Sequence, residues 1–177
     1  MIYLTGYHGH KPQDLRTLAL NLEAVVVDIR LSPVSKMAEW NKVSLMNTLA
    51  ARYMVVQEFG NVNYKNGGEI RIKNPTEGAN RLMRRGAKNY ILLCGCRDAE
   101  TCHRTVVGDF LRTVSIQAIR EVTAEEWAAA TPAPEPVVEV TQREWLREVQ
   151  GEFPVVEQVT TEVNPRPARK KKVVQHD

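Results

Sequence analysis

Long apolar runs are missing from this chain. No stretch approaches the roughly 18 residues that a membrane-crossing helix needs, so neither a span nor a membrane partner is expected. Cysteine is scarce, with three in 177 residues. An odd number crowded into positions 94–102 excludes a secreted disulfide framework and fits reduced thiols. The opening MIYLTGYHGHKPQD has neither the basic start nor the apolar stretch of a signal peptide, so a cytoplasmic location is expected. What remains is long enough for one ordinary domain plus an extension.

The formal charge of +3 conceals segmentation. Residues 1–122 carry 17 Lys/Arg against 11 Asp/Glu (+6), residues 123–163 carry 2 against 9 (−7), and residues 164–177 carry 5 against 1 (+4). A basic body, an acidic segment and a basic tip imply parts with different roles.

Within the body, IYLTGY reads as a first strand, and KPQDLRTLALNLE as a helix that starts near Pro12, where a missing N–H costs little. AVVVDIR is a β-branched run of the kind that a strand covered on both faces needs. Strand, helix and strand within about thirty residues make a βαβ unit with a right-handed crossover. The pattern continues with a helix over KVSLMNTLAARY, a strand MVVQEF, a helix GANRLMRRGA, a strand NYILLCGC, a helix CHRTVVGDFLRTV and a strand SIQAIREV. The expected fold is therefore α/β: a mostly parallel sheet covered by helices over residues 1–122. Residues 60–78 form a long connection, which in a compact domain signals function or disorder.

Beyond the body, Thr123–Glu126 and Thr141–Glu144 are capping boxes, each followed by tryptophan, with the stiff TPAPEP between them. They predict two short helices over 123–153. Residues 154–177 read as a flexible basic tail, in which Arg166, Arg169, Lys170, Lys171 and Lys172 suit phosphate contacts with nucleic acid. Arg81, Arg84, Arg85 and Lys88 supply a second basic patch at helical spacing.

In an open parallel sheet, ligands sit at the carboxyl ends of the strands. Three expected strands end there in reactive chemistry: Tyr7, His8 and His10 after the first, Asp28 and Arg30 after the second, and Cys94 and Cys96 after LLCGC. The next helix opens with Cys102, His103 and Arg104 on the same rim. Cys94 or Cys102 is a candidate nucleophile with His103 as base, since a helix N-terminus and nearby Arg and His favour thiolate. Arg30 and Arg104 are candidates to hold a phosphate, and Asp28 is either a general base or the partner of Arg30. Of the two early histidines, His8 is nearer the strand and is the expected site member. C-x-C-x5-C-H supplies an allowed zinc set, but its spacing is not that of the usual knuckles. No metal or other cofactor is therefore expected, zinc being the one that the cysteines would allow. Buried core cysteines are the competing reading.

TGYHGH, VVVDIRLSPVSK and LLCGCRDAETCHRTVV, in that order and spanning roughly residues 2–122, resemble the bacterial domain-of-unknown-function family 488, with its D-x-R-x-x-P-x-S stretch and closing C-H-R. The resemblance implies a single α/β domain and site positions Tyr7, His8, Asp28, Arg30, Pro33, Ser35, Cys94, Cys102, His103 and Arg104. Many members have an acidic residue where this chain has Cys96. The resemblance supplies no reaction.

These readings lead to a pocket in which Asp28, Cys94, Cys102 and His103 are the catalytic candidates. Tyr7, His8, Arg30, Ser35 and Arg104 are the substrate-binding candidates. The expected substrate bears phosphate, as a nucleotide or nucleic acid does. The alternative is a binding module for nucleic acid or protein, in which the tail adds avidity and the rim is structural. A protein partner would engage the C-terminal extension.

Overall fold

A computed structural model describes residues 1–131. The second capping box, the proline-rich linker and the basic tail with Arg166, Arg169, Lys170, Lys171 and Lys172 lie outside the described residues. The described chain is α/β, with five strands, β1 (Ile2–Gly6), β2 (Ala24–Asp28), β3 (Tyr53–Val55), β4 (Asn89–Cys94) and β5 (Ile119–Glu121), and five helices, α1 (Pro12–Asn21), α2 (Lys42–Leu49), α3 (Pro75–Arg85), α4 (His103–Val114) and α5 (Ala124–Ala130). All strand pairs are parallel, in the order β3-β2-β4-β1-β5.

Local chemistry sets the helix ends. Pro12 and Pro75 open α1 and α3. The Asn74 carboxamide oxygen accepts from the Glu77 amide (3.2 Å), and Gly86 closes α3 in the left-handed region at φ 63°. The strand expected over 54–59 stops at Val55 and tightens into a single helical turn, Gln57–Phe59, which buries Phe59. The last strand likewise keeps only three of the eight residues expected.

Strand alternation divides the core into two layers. Ile2, Leu4, Val25, Val27, Tyr90, Leu92 and Cys94 face α3 and α4, which contribute Leu82, Val107 and Leu111. Tyr3, Val26, Ile91 and Leu93 face α1, α2 and α5 with Trp40. The first of the two short helices expected over 123–153, read from sequence as the start of the extension, is α5, and it packs on the body. Its Trp127 is 7 % exposed and donates Nε1–H to the Thr5 hydroxyl (3.1 Å) while stacking on His10 at 3.7 Å. Among the described residues, no helix is long and apolar enough to cross a membrane.

The strand order places a topological switch at the middle of the sheet. β2 and β4 are neighbours, yet the chain leaves β2 for α2 on one face and β4 for α4 on the other. Their carboxyl ends therefore diverge around a crevice.

Candidate functional site

The cysteines meet because two elements bring them to one point. Cys94 ends β4 on the face that α4 covers, and Cys102 caps the N-terminus of α4 with its sulfur accepting from the Arg104 amide (3.4 Å). Sγ of Cys102 lies 3.2 Å from Sγ of Cys94. The chain turns back after Cys94, so that Cys96 Sγ stands 3.5 Å from Cys94 Sγ and the Cys96 amide donates to that sulfur (3.4 Å). His103 Nδ1 completes the group, 3.5 Å from Cys94 Sγ and 3.9 Å from Cys102 Sγ. The four ligating atoms lie within 4.8 Å of one another. All three thiols are free; Cys94 and Cys102 are buried and Cys96 is exposed.

The supports of this corner are specific. His103 Nε2 lies 3.2 Å from the Ile29 carbonyl at the end of β2, an acceptor only, so Nε2 carries the proton and Nδ1 faces the sulfurs. Arg104, 3 % exposed, donates to the Cys96 carbonyl (3.0 Å) and the Arg97 carbonyl (3.4 Å), and its Nε pairs with Glu121 (3.1 Å). The loop crosses β1 so closely that a Cβ on Gly6 would stand 2.0 Å from the Cys96 oxygen, and one on Gly95 would stand 2.9 Å from the Tyr7 hydroxyl.

Crowding unequal thiols around an imidazole separates their acidities. Hydrogen bonding with Cys94 and Cys96, and then with His103, pulls Cys102 down, while hydrogen bonding with Cys102 and Cys96, and then burial, pushes Cys94 up. Burial opposes charge on His103, but hydrogen bonds to Cys102 and Cys96 outweigh it and raise the imidazole to about 9. The corner thus favours one thiolate beside an imidazolium, or a shared cation.

The corner forms one wall of a cleft of about 340 Å³ at the switch between β2 and β4. Arg30, Cys94, Cys96 and His103 line it, as the sequence reading expected of Arg30, Cys94 and His103. Asp28 does not line it. Asp28 is wholly buried on the opposite face of the sheet, where its carboxylate accepts from Arg30 Nε (2.8 Å), Arg30 Nη2 (2.5 Å), the Arg30 amide (3.1 Å) and the Tyr53 hydroxyl (2.7 Å). Burial and then the Asp28 charge hold the Tyr53 phenol protonated by raising its pKa. Arg30 also donates to the Trp40 carbonyl (2.9 Å), so its guanidinium is largely spent on internal partners, and Asp28 keeps it charged despite burial.

The other expected members divide. Tyr7 stacks on Trp40 at 4.3 Å, and its hydroxyl donates to Ser35 Oγ (3.3 Å), which in turn accepts from the Met37 amide (3.1 Å). Tyr7 and Ser35 therefore brace the loop after β2 rather than line the cleft. His8 is exposed and does not line it either. The second basic patch, on α3 and the turn after it, is partly neutralised: Arg81 pairs with Glu58 (2.7 Å), Arg84 with Glu77 (2.6 Å), and Lys88 with Glu23 (2.8 Å).

Sequence reasoning missed Ser32, Asn61, Tyr64 and Thr101, which complete the cleft. Asn61 and Tyr64 come from the long 60–78 connection, whose length was the available signal. That loop is pinned by the Asn61 side-chain oxygen, which accepts from the Asn63 amide (3.0 Å) and the Arg71 amide (3.1 Å). A larger apolar cleft of about 400 Å³ lies at the opposite end of the strands, between the C-terminal ends of α3 and α4, with no charged side chain lining it. The reactive side chains lie at the smaller one.

No family model, curated protein or solved structure matches the chain.

Proposed function

We propose that the cleft between β2 and β4 is the working site and takes a small phosphate-bearing ligand of the nucleotide class, with the cysteine–histidine corner as its chemical wall. One observation carries the reading: the thiol–imidazole corner and the half-exposed Tyr64 ring line the same cleft, at the point in the sheet where the crossovers reverse. Tyr64 offers a stacking surface for a base. Lys65, 5.7 Å from the Tyr64 ring centroid and without an ion-pair partner among the described residues, is the cation nearest that ring in sequence. Ser32, Asn61 and Thr101 supply neutral polar groups. The Asp28–Arg30 pair, in this reading, supports the cleft floor and does not react. Membership of family 488 is proposed on the same three motif blocks, whose reactive residues gather at the carboxyl ends of β1, β2 and β4.

The test is calorimetric titration of the full chain with a panel of nucleoside mono-, di- and triphosphates. Binding that Tyr64→Ala weakens by about 1–3 kcal/mol, roughly 5- to 150-fold, is the expected result for a stacked base. Absence of binding across the panel, or binding indifferent to Tyr64→Ala and Lys65→Ala, overturns the reading.

A further inference from the structure

We infer that Cys94, Cys96, Cys102 and His103 are the four ligands of a tetrahedral metal centre of the zinc class. This goes beyond the ligand-binding reading and does not depend on it.

Geometry is the first argument. A tetrahedral ion with bonds of about 2.3 Å to sulfur and 2.0–2.1 Å to nitrogen requires ligand atoms roughly 3.6–3.8 Å apart. Of the six edges, two between sulfurs are 3.2 and 3.5 Å, short of that length, two from Nδ1 to sulfur are 3.5 and 3.9 Å, on either side of it, and all four atoms lie within 4.8 Å of one another. Closing the site spreads the Cys94 and Cys102 sulfurs by about half an ångström and draws the Cys96 sulfur toward Cys102 and His103 by up to about 1 Å. One side-chain rotation of the exposed Cys96 accommodates much of it.

The surroundings are those of a ligand set. A metal-bound histidine needs its other nitrogen held, and the Ile29 carbonyl holds Nε2, turning Nδ1 to the sulfurs. Thiolates need donors, and the Cys96 and Arg104 amides each point at a sulfur at 3.4 Å. Three thiolates, one neutral imidazole and a divalent ion sum to a charge of −1. Arg104, buried and clamped to the Cys96 and Arg97 carbonyls, stands against this charge. Three thiols converging without a cation would exchange only weak S–H bonds in a buried corner, a poor return for ordering them.

The donor set selects the ion. Three soft thiolates and one imidazole in tetrahedral array suit zinc and exclude the oxygen-seeking magnesium and calcium. With four protein ligands the ion needs no water, which is the arrangement of a structural centre. Here it would join the end of β4 to the start of α4 and fix one wall of the cleft. Cys96 is the ligand that completes the set.

The experiment uses the full chain expressed in zinc-supplemented medium, with metal content measured after gel filtration and with cobalt substitution read by its thiolate charge-transfer absorption. The expected result is one equivalent of zinc and a tetrahedral cobalt spectrum. Cys96→Ser, at an exposed position where the fold does not depend on the thiol, is expected to lose the equivalent to a chelator that wild type resists and to shift the cobalt band; Cys102→Ser is expected to abolish both. Metal-free folded protein with three titratable thiols overturns the inference. So does a Cys94–Cys102 disulfide in the protein as purified, or metal retained by both variants. A nucleotide panel that fails while zinc is present leaves this inference standing and removes only the ligand reading.

Discussion

Replacing Asp28 with asparagine separates a brace from a catalyst. The carboxylate is wholly buried and receives four hydrogen bonds, three of them from Arg30 and one from Tyr53. Asparagine keeps the shape, and its oxygen in the Oδ2 place can still accept from the Tyr53 hydroxyl and Arg30 Nη2, but its NH2 then meets the Arg30 Nε and amide donors, and the guanidinium has lost its counter-charge. Breaking a buried pair from one side leaves an uncompensated charge and costs about 3–5 kcal/mol. That is a large share of the roughly 5–15 kcal/mol by which a domain is stable. With a urea m-value of about 1.5 kcal/mol/M, a loss of about 4 kcal/mol moves the midpoint down by about 2.7 M. Urea unfolding followed by circular dichroism reads this directly. The double variant Asp28→Asn/Arg30→Met is expected to recover part of the loss, because the stranded charge goes with it. A single variant within about 0.5 kcal/mol of wild type, the range of an ordinary surface change, would refute the assignment of Asp28 as a brace.

Two further outcomes follow from the packing. Gly6→Ala must drive its new Cβ into the Cys96 carbonyl, so it is expected to lower the unfolding midpoint and to change the rate at which Cys96 reacts with a thiol reagent, whereas Gly9→Ala, with nothing within 4 Å of its Cβ, leaves that rate unchanged. Trp127→Ala removes a buried indole and the hydrogen bond it donates to the Thr5 hydroxyl, with an expected loss of about 3–5 kcal/mol by denaturant titration; a loss below 1 kcal/mol would show that α5 does not belong to the core.

The sheet was legible in the sequence because its central strands are nearly continuous apolar runs. VVV and YILL have to be buried on both faces, and only a helix-covered parallel sheet does that. The edge strands were legible in position but not in length, since Tyr53–Val55 and Ile119–Glu121 are half-buried and their ends are set by packing rather than pattern. Convergence of Cys94, Cys102 and His103 could be read from the strand-end rule. The rule put Cys96 at the same rim, but the strand expected to run on to Cys96 ends at Cys94, and a turn that Arg104 clamps through two carbonyls brings Cys96 back to it. The rule also placed Asp28 and Cys94 together at one rim. Strand alternation and register, which the sequence does not print, put Asp28 on the face of α1 and α2 and the cysteines on the face of α4. The capping box of α5 was plain from Thr123 and Glu126, but nothing local told that Trp127 would reach back to Thr5, 122 residues earlier.

The strand order also has a kinetic meaning. β1 and β2 never pair with each other; both bond to β4, which is made some sixty residues after β2. Before β4 arrives, β2 has only β3 beside it, and β1 has no strand beside it at all. Inserting one strand therefore joins the two halves of the sheet, and the slow step is the closing of long loops rather than the growth of local structure. Cys94 rides on the end of that strand. A chain that has not closed its sheet has no cleft and no gathered thiols, so assembly of the site cannot run ahead of assembly of the fold.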